Sequence, residues 1–124
     1  MKALLVVAHG SRRKESNDEV FVIAEQIKNG GSQQYDIVHA AFLVMADVLI
    51  PDGIGQCVAE GASSVVVLPY FLNSGTHVVK DIPDIVDACR LQYPGVDITL
   101  ANHIGASPLM RELVISSADE AKAI

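Results

Sequence analysis

Apolar and polar positions follow two rhythms along this chain. Short, mostly apolar runs occur at residues 3–8, within 35–44 (Ile37, Val38, Ala40 to Leu43), within 64–68 and within 96–101. All four read as strands, and the continuous run at 3–8, without polar alternation, reads as one buried on both faces, the habit of parallel sheets. Between them the apolar residues return every three or four positions, the helical period. Val20, Ile23, Ala24 and Ile27, widened by Phe21, mark a first helix. Ile54, Cys57 and Val58 mark a second, and Ile85, Val86, Ala88 and Cys89 a third. Leu109, Met110, Leu113, Val114 and Ala118 give a fourth its apolar side.

The boundaries are punctuated. Ser16 with Glu19 three residues on fits a capping box for the first helix, and Gly30-Gly31 ends it. Pro51 suits the first turn of the second helix, which stops at Gly61. A loop over 73–76 precedes the third helix, expected from about Asp81 to Leu91. Tyr93-Pro94-Gly95 is a turn, and Ser107-Pro108 opens the last helix. The strict alternation of strand and helix predicts an α/β fold: one doubly wound, parallel four-stranded sheet flanked by helices. The expected strand order is 2-1-3-4, flavodoxin-like, in a single domain over 1–124. Asp97 and Thr99 interrupt the last run and suggest an edge strand.

Composition narrows the classes. Half of the 124 residues are apolar, enough for a core. No apolar stretch nears the roughly 20 residues that span a bilayer, so no membrane partner is expected. Residues 1–8 faintly resemble a signal peptide, but Gly10, Ser11 and Arg12-Arg13-Lys14 follow at once, and a first strand explains the run better. A cytoplasmic protein is expected. The net charge of −6 argues against nucleic acid. Cys57 and Cys89 form no CxxC pair and fall on apolar helix faces, so buried reduced thiols, without a disulfide, are expected.

The chemistry concentrates on two histidines. His9 follows the first strand, and His77 closes the loop after the third. In the order 2-1-3-4 those strands are neighbours, and ligands of open α/β sheets bind at the carboxyl ends, where the topology switches. The two imidazoles should face each other across one crevice, as a metal or proton-transfer site. Each alone would read as a loop residue. Arg12, Arg13 and Lys14 beside His9 fit either an anionic small ligand or a solvated helix entry. GxGxxG, the P-loop lysine, GxSxG and HExxH are absent, so no nucleotide is expected. Val7-Ala8-His9-Gly10 resembles the Arg-His-Gly signature of histidine phosphatases, but Ala8 stands where the arginine belongs.

Longer motifs are more specific. His9-Gly10-Ser11-Arg12, the run from Leu68 to Pro83 (LPYFLNSGTHVVKDIP), and Ile104 to Leu109 together resemble the short single-domain sirohydrochlorin chelatases, the cobaltochelatase and ferrochelatase group of cobalamin and siroheme synthesis. The resemblance implies ATP-independent insertion of a divalent metal, Co²⁺ or Fe²⁺ or Ni²⁺, into a tetrapyrrole. It implies that His9 and His77 bind the metal and help remove the pyrrole protons. It assigns Ser11, Arg12, Arg13 and Lys80 to the carboxylates of sirohydrochlorin. It also implies a C2 homodimer, because one such domain encloses half a cleft. Members usually carry a glutamate shortly after the Phe-Leu of the second strand. Here Val44 and Met45 follow Phe42-Leu43, and Asp47 is the nearest carboxylate to replace it in the metal site. A protein lacking that glutamate could be a non-catalytic metal or tetrapyrrole binder, and a phosphohistidine-type phosphatase is a third reading. Which metal and which pathway stay open. Asp81 reads as a helix cap, Tyr70 and Phe71 as core, His39 as a satisfied core or edge histidine, and His103 as without a direct role.

Overall fold

A computed structural model describes residues 1–31 and 34–121; the last three residues of the expected 1–124 domain lie outside them. The four apolar runs form strands β1 (Lys2–Ala8), β2 (Ile37–Phe42), β3 (Ser64–Pro69) and β4 (Asp97–Leu100). All pairings are parallel and the order is β2-β1-β3-β4, as the pattern predicts. The register pairs Ala8 with Phe42 and Val7 with Pro69, so β1, β2 and β3 end side by side.

The helices are α1 (Lys14–Asn29), α2 (Ile50–Ala59), α3 (Ile82–Gln92) and α4 (Met110–Asp119). Strand side chains point to opposite faces in turn. Ala3, Leu5 and Val7 of β1 therefore join Ile54, Cys57, Val86 and Cys89 of α2 and α3 on one side. Leu4, Val6 and Ala8 meet Val20 and Ala24 of α1 on the other. Gly53 lets α2 settle close to the sheet: a Cβ there would lie 2.8 Å from that of Ala41. β4 is the edge, and its Asp97 and Thr99 are exposed.

Four expectations change. First, α1 begins at Lys14, so Ser16 lies inside the helix and does not cap it. Its hydroxyl accepts from the Arg13 guanidinium at 3.3 Å, and the start of the helix has no side-chain cap. Second, the third helix begins earlier than Asp81, because a π-helical turn over His77–Asp81 runs directly into α3. Third, α4 carries its apolar residues as expected but buries none of them and belongs to neither cluster. Just before it, the 3-10 turn Ile104–Ala106 holds onto the segment after β3, with the Gly105 N–H donating to the Phe71 carbonyl at 3.0 Å. A Cβ on Gly105 would strike the Leu72 carbonyl oxygen at 1.8 Å. Fourth, Tyr70 is exposed and Phe71 is only partly buried, because both lie past the end of β3 at the rim of the sheet. Cys57 and Cys89 are both buried, as their apolar faces suggest.

Candidate active site

The site is built from three segments that leave the carboxyl edge. After β1 the chain turns at Gly10, whose φ of 96° belongs to the left-handed region that favours glycine. Space makes the same demand, since a Cβ would fall 1.7 Å from the Val44 carbonyl oxygen. The contact arises because the ladder continues past β2: the Leu43 N–H donates to the Ala8 carbonyl and the Val44 N–H to the His9 carbonyl, each at 3.0 Å. The third segment leaves β3 and ends in the π-helical turn. There the Gly75 carbonyl accepts the N–H groups of Val78 and Val79, just beside His77.

These segments bring the two histidine rings together. Their centroids lie 4.7 Å apart and their planes cross at 62°, edge to face. On His9, Nδ1 lies 2.8 Å from the Gly10 carbonyl oxygen. A carbonyl only accepts, so in the neutral ring the proton sits on Nδ1 and the lone pair on Nε2. On His77, Nδ1 lies 2.7 Å from Oδ2 of Asp81. An ionised carboxylate also only accepts, so His77 carries the same tautomer. Two imidazoles whose Nε2 atoms have no hydrogen-bond partner among the described residues thus meet at the sheet edge. The His77 side chain is 49% exposed, open to a ligand from solvent. Asp81 is therefore no helix cap: its carboxylate holds His77 and accepts no backbone N–H at the start of α3.

The other expected residues separate into two groups. Ser11, Arg12, Lys14, Met45 and Asp47 line an adjoining open cavity of about 550 Å³, mixed in charge. Arg13 points to Glu15 at 3.8 Å and to Ser16, exposed on α1. Lys80 pairs with Asp84 at 2.8 Å, one turn along its own helix, and that hydrogen bond holds its ammonium pKa above the ordinary lysine value. Among the described residues no three His, Cys, Asp or Glu side chains converge to hold a metal, so Asp47 does not complete such a set with the histidines. The backbone of Val44 reaches His9, its N–H donating to the His9 carbonyl, and its side chain is 41% exposed and has no donor atom. His39 sits on β2, away from the pair, with Nε2 at 2.9 Å from Glu60, the partnered role its position suggests. His103 is partly buried after β4.

Sequence reasoning does not find Asn17. Its Oδ1 accepts the Ser11 N–H at 2.9 Å, and its Nδ2 donates to the carbonyls of Ser11 at 3.0 Å and Met45 at 3.1 Å. One amide thus ties the loop after His9 to the loop after β2. A polar residue in the first turn of a surface helix gives no local sign of that role. Asp81 had a sign: it lies four residues after His77, the spacing that brings side chains together on one helix face.

A parallel α/β sheet with paired imidazoles at its switch point defines a class of small ligand-handling domains. The chain itself belongs to the CbiX family, whose model matches residues 3–121. The chloroplastic sirohydrochlorin ferrochelatase of Arabidopsis thaliana is 35% identical over 113 residues, 90% of this chain and 48% of that protein. The sirohydrochlorin cobaltochelatase of Methanococcus aeolicus is 38% identical over 86 residues, 69% of this chain and 59% of that protein. The chain thus spans about half the length of these relatives. Among solved structures, SirB from Bacillus subtilis with Fe³⁺ superposes with a TM-score of 0.82 at 28% identity, covering 98% of this chain and 48% of that one. The sirohydrochlorin chelatase SirB from Bacillus subtilis subspecies spizizenii in complex with cobalt gives 0.80 at 28%, covering 97% and 51%.

Proposed function

We propose that this protein inserts a divalent metal, Co²⁺ or Fe²⁺ and also Ni²⁺, into sirohydrochlorin without ATP. The observation that carries the reading is the contact between His9 and His77 at the carboxyl edge, with neither Nε2 hydrogen-bonded among the described residues. The names and bound metals of the relatives support the same substrate pair.

The chemistry follows from the donors. Neutral imidazole is a good ligand for each of these metals. Two imidazoles hold a metal less firmly than a closed four-ligand site, which suits a metal that must be passed on. Insertion releases two pyrrole protons for each metal that enters. An Nε2 lone pair cannot hold metal and proton at once. It is freed when the metal moves to the pyrrole nitrogens, and it can then take a proton to solvent. The cavity lined by Ser11 and Arg12 is the place for a carboxylate on the tetrapyrrole rim, paired with the Arg12 guanidinium. Arg13 and Lys80, already paired on their helices, have the smaller part.

A second copy of the chain is the proposed partner, in one chelatase domain per protomer. Leu109 just before α4 and Leu113, Val114 and Ile115 on it are each half exposed or more, apolar surface that a twofold contact would cover. Among the described residues no helix is long and apolar enough to cross a membrane. A cytoplasmic site of action fits two buried, free cysteines.

The direct test is anaerobic conversion of sirohydrochlorin by Co²⁺, Fe²⁺ and Ni²⁺, followed by absorbance with and without the protein. Acceleration that requires His9 and His77 is expected. A spectral shift on binding, with metallation at the blank rate, would instead identify a carrier.

A further inference from the structure

We infer that Asp81 is a positioning residue for His77, and that without it the metal-facing lone pair of this imidazole would lie on the wrong nitrogen. The activity arm of this inference rests on the chelatase reading above; the geometric arm does not.

Four observations carry it. The Asp81 Oδ2 to His77 Nδ1 distance of 2.7 Å is short for a hydrogen bond between side chains, as expected when the acceptor is charged. The pair lies inside the π-helical turn His77–Asp81, closed by the Ile82 N–H donating to the His77 carbonyl five residues back. Such single π turns are uncommon and concentrate at functional sites. Lys80 is engaged with Asp84 at 2.8 Å, so the adjacent cation does not draw Asp81 away. Finally, Asp81 caps no backbone group, so the histidine is the partner its carboxylate has.

The consequence is in the ring. A neutral imidazole in water favours the proton on Nε2, which would leave the lone pair on Nδ1. In this turn Nδ1 faces forward along the helix toward residue 81. A carboxylate there reverses the preference and leaves Nε2 as the acceptor at the crevice. His9 gains the same tautomer from its own neighbour, the Gly10 carbonyl. The two rings are thus set alike by different means, one by backbone and one by a side chain that mutation can remove. An exposed histidine–aspartate pair contributes little to stability. The carboxylate behind a metal-facing imidazole matters instead through orientation and ligand basicity.

The test reads the tautomer directly. Imidazole ¹⁵N shifts of the intact protein are recorded at a pH where both rings are neutral, with His77 assigned by its loss in His77→Gln. The wild-type ring is expected to show a protonated Nδ1 and a lone pair on Nε2. Asp81→Ala should move the proton to Nε2, while Asp81→Asn, which keeps an acceptor oxygen, should largely hold the wild-type state. With Co²⁺ alone as the probe, Asp81→Ala should weaken binding roughly 10- to 100-fold. In the insertion assay kcat should fall by a similar factor, with KM for sirohydrochlorin unchanged and partial rescue in Asp81→Asn. An Nε2-protonated wild-type ring, or a tautomer indifferent to Asp81→Ala, overturns the inference. If the tautomer and Co²⁺ results hold but no protein inserts metal, the positioning role stands and the chelatase reading fails.

Discussion

The rings of His9 and His77 meet edge to face at 4.7 Å, although 67 residues separate them in sequence. That contact depends on β1 and β3 being neighbours and ending level, with Val7 opposite Pro69. It also depends on backbone close to His9 that tolerates almost no substitution.

Gly10→Ala tests this dependence. The new Cβ would meet the Val44 carbonyl at 1.7 Å, at a φ of 96°. The left-handed conformation alone costs about 1–2 kcal/mol, and the clash adds to it. We expect a loss of at least about 2 kcal/mol in urea unfolding. Gly31→Ala, at φ 77° with nothing within 4 Å of its Cβ, should lose only the conformational part.

Asn17→Ala removes the three hydrogen bonds by which this one side chain holds the loop after His9, through two bonds to Ser11, and the loop after β2, through one to Met45. Each contributes about 0.5–1.5 kcal/mol net, and these groups can partly rehydrate, so about 1–3 kcal/mol is expected in denaturant unfolding. Faster amide exchange confined to residues 10–12 and 44–47 would show that the loops have come apart. Unchanged exchange there would contradict the role.

Val44→Glu should place a carboxylate beside the two imidazoles, where the chelatase resemblance expects one. Co²⁺ affinity, measured by titration calorimetry, is expected to rise by about tenfold or more, the order that one additional supporting group contributes at such sites. Affinity equal to wild type would mean that position 44 does not face the metal.

Burial pushes the Cys57 thiol up to about 11, with the Glu60 charge adding to the effect. Below about pH 7.5 the thiol is neutral in both the folded and the unfolded chain and has no effect on the pH dependence of stability. Between about 9 and 11 only the unfolded thiol ionises, so stability falls as pH rises. The full loss approaches about 2–3 kcal/mol. Unfolding midpoints of wild type and Cys57→Ala between pH 8 and 10.5 isolate this term, since the other alkaline groups are common to both. Parallel pH profiles would contradict it.

Much of the fold was legible because the strands are short, mostly apolar runs and the helices keep their period. Leu5 and Val7 facing α2 and α3, with Val6 and Ala8 facing α1, follow from strand alternation alone. The His9 and His77 positions follow from strand order and from the rule about carboxyl ends. The rest depends on tertiary context. Ser16 satisfies the local pattern of a cap, yet the helix starts two residues earlier. Asp81 also looks like a cap, and only the π-helical turn shows that it faces His77. Lys80 is a cation in the right segment, but Asp84 one turn on engages it. The apolar period of α4 predicts a buried face, and nothing local reveals that the turn over 104–106 carries it clear of both clusters.

The central claim is that His9 and His77 together pass a metal into sirohydrochlorin. The most direct measurement is the anaerobic initial rate of Co²⁺ insertion by wild type, His9→Ala and His77→Ala, each checked for native circular dichroism. Proton transfer by a positioned side chain contributes about 10²- to 10⁴-fold, so each variant should fall at least about 100-fold toward the uncatalysed rate. Wild-type insertion at the blank rate, or a His77→Ala protein as fast as wild type, would contradict the account.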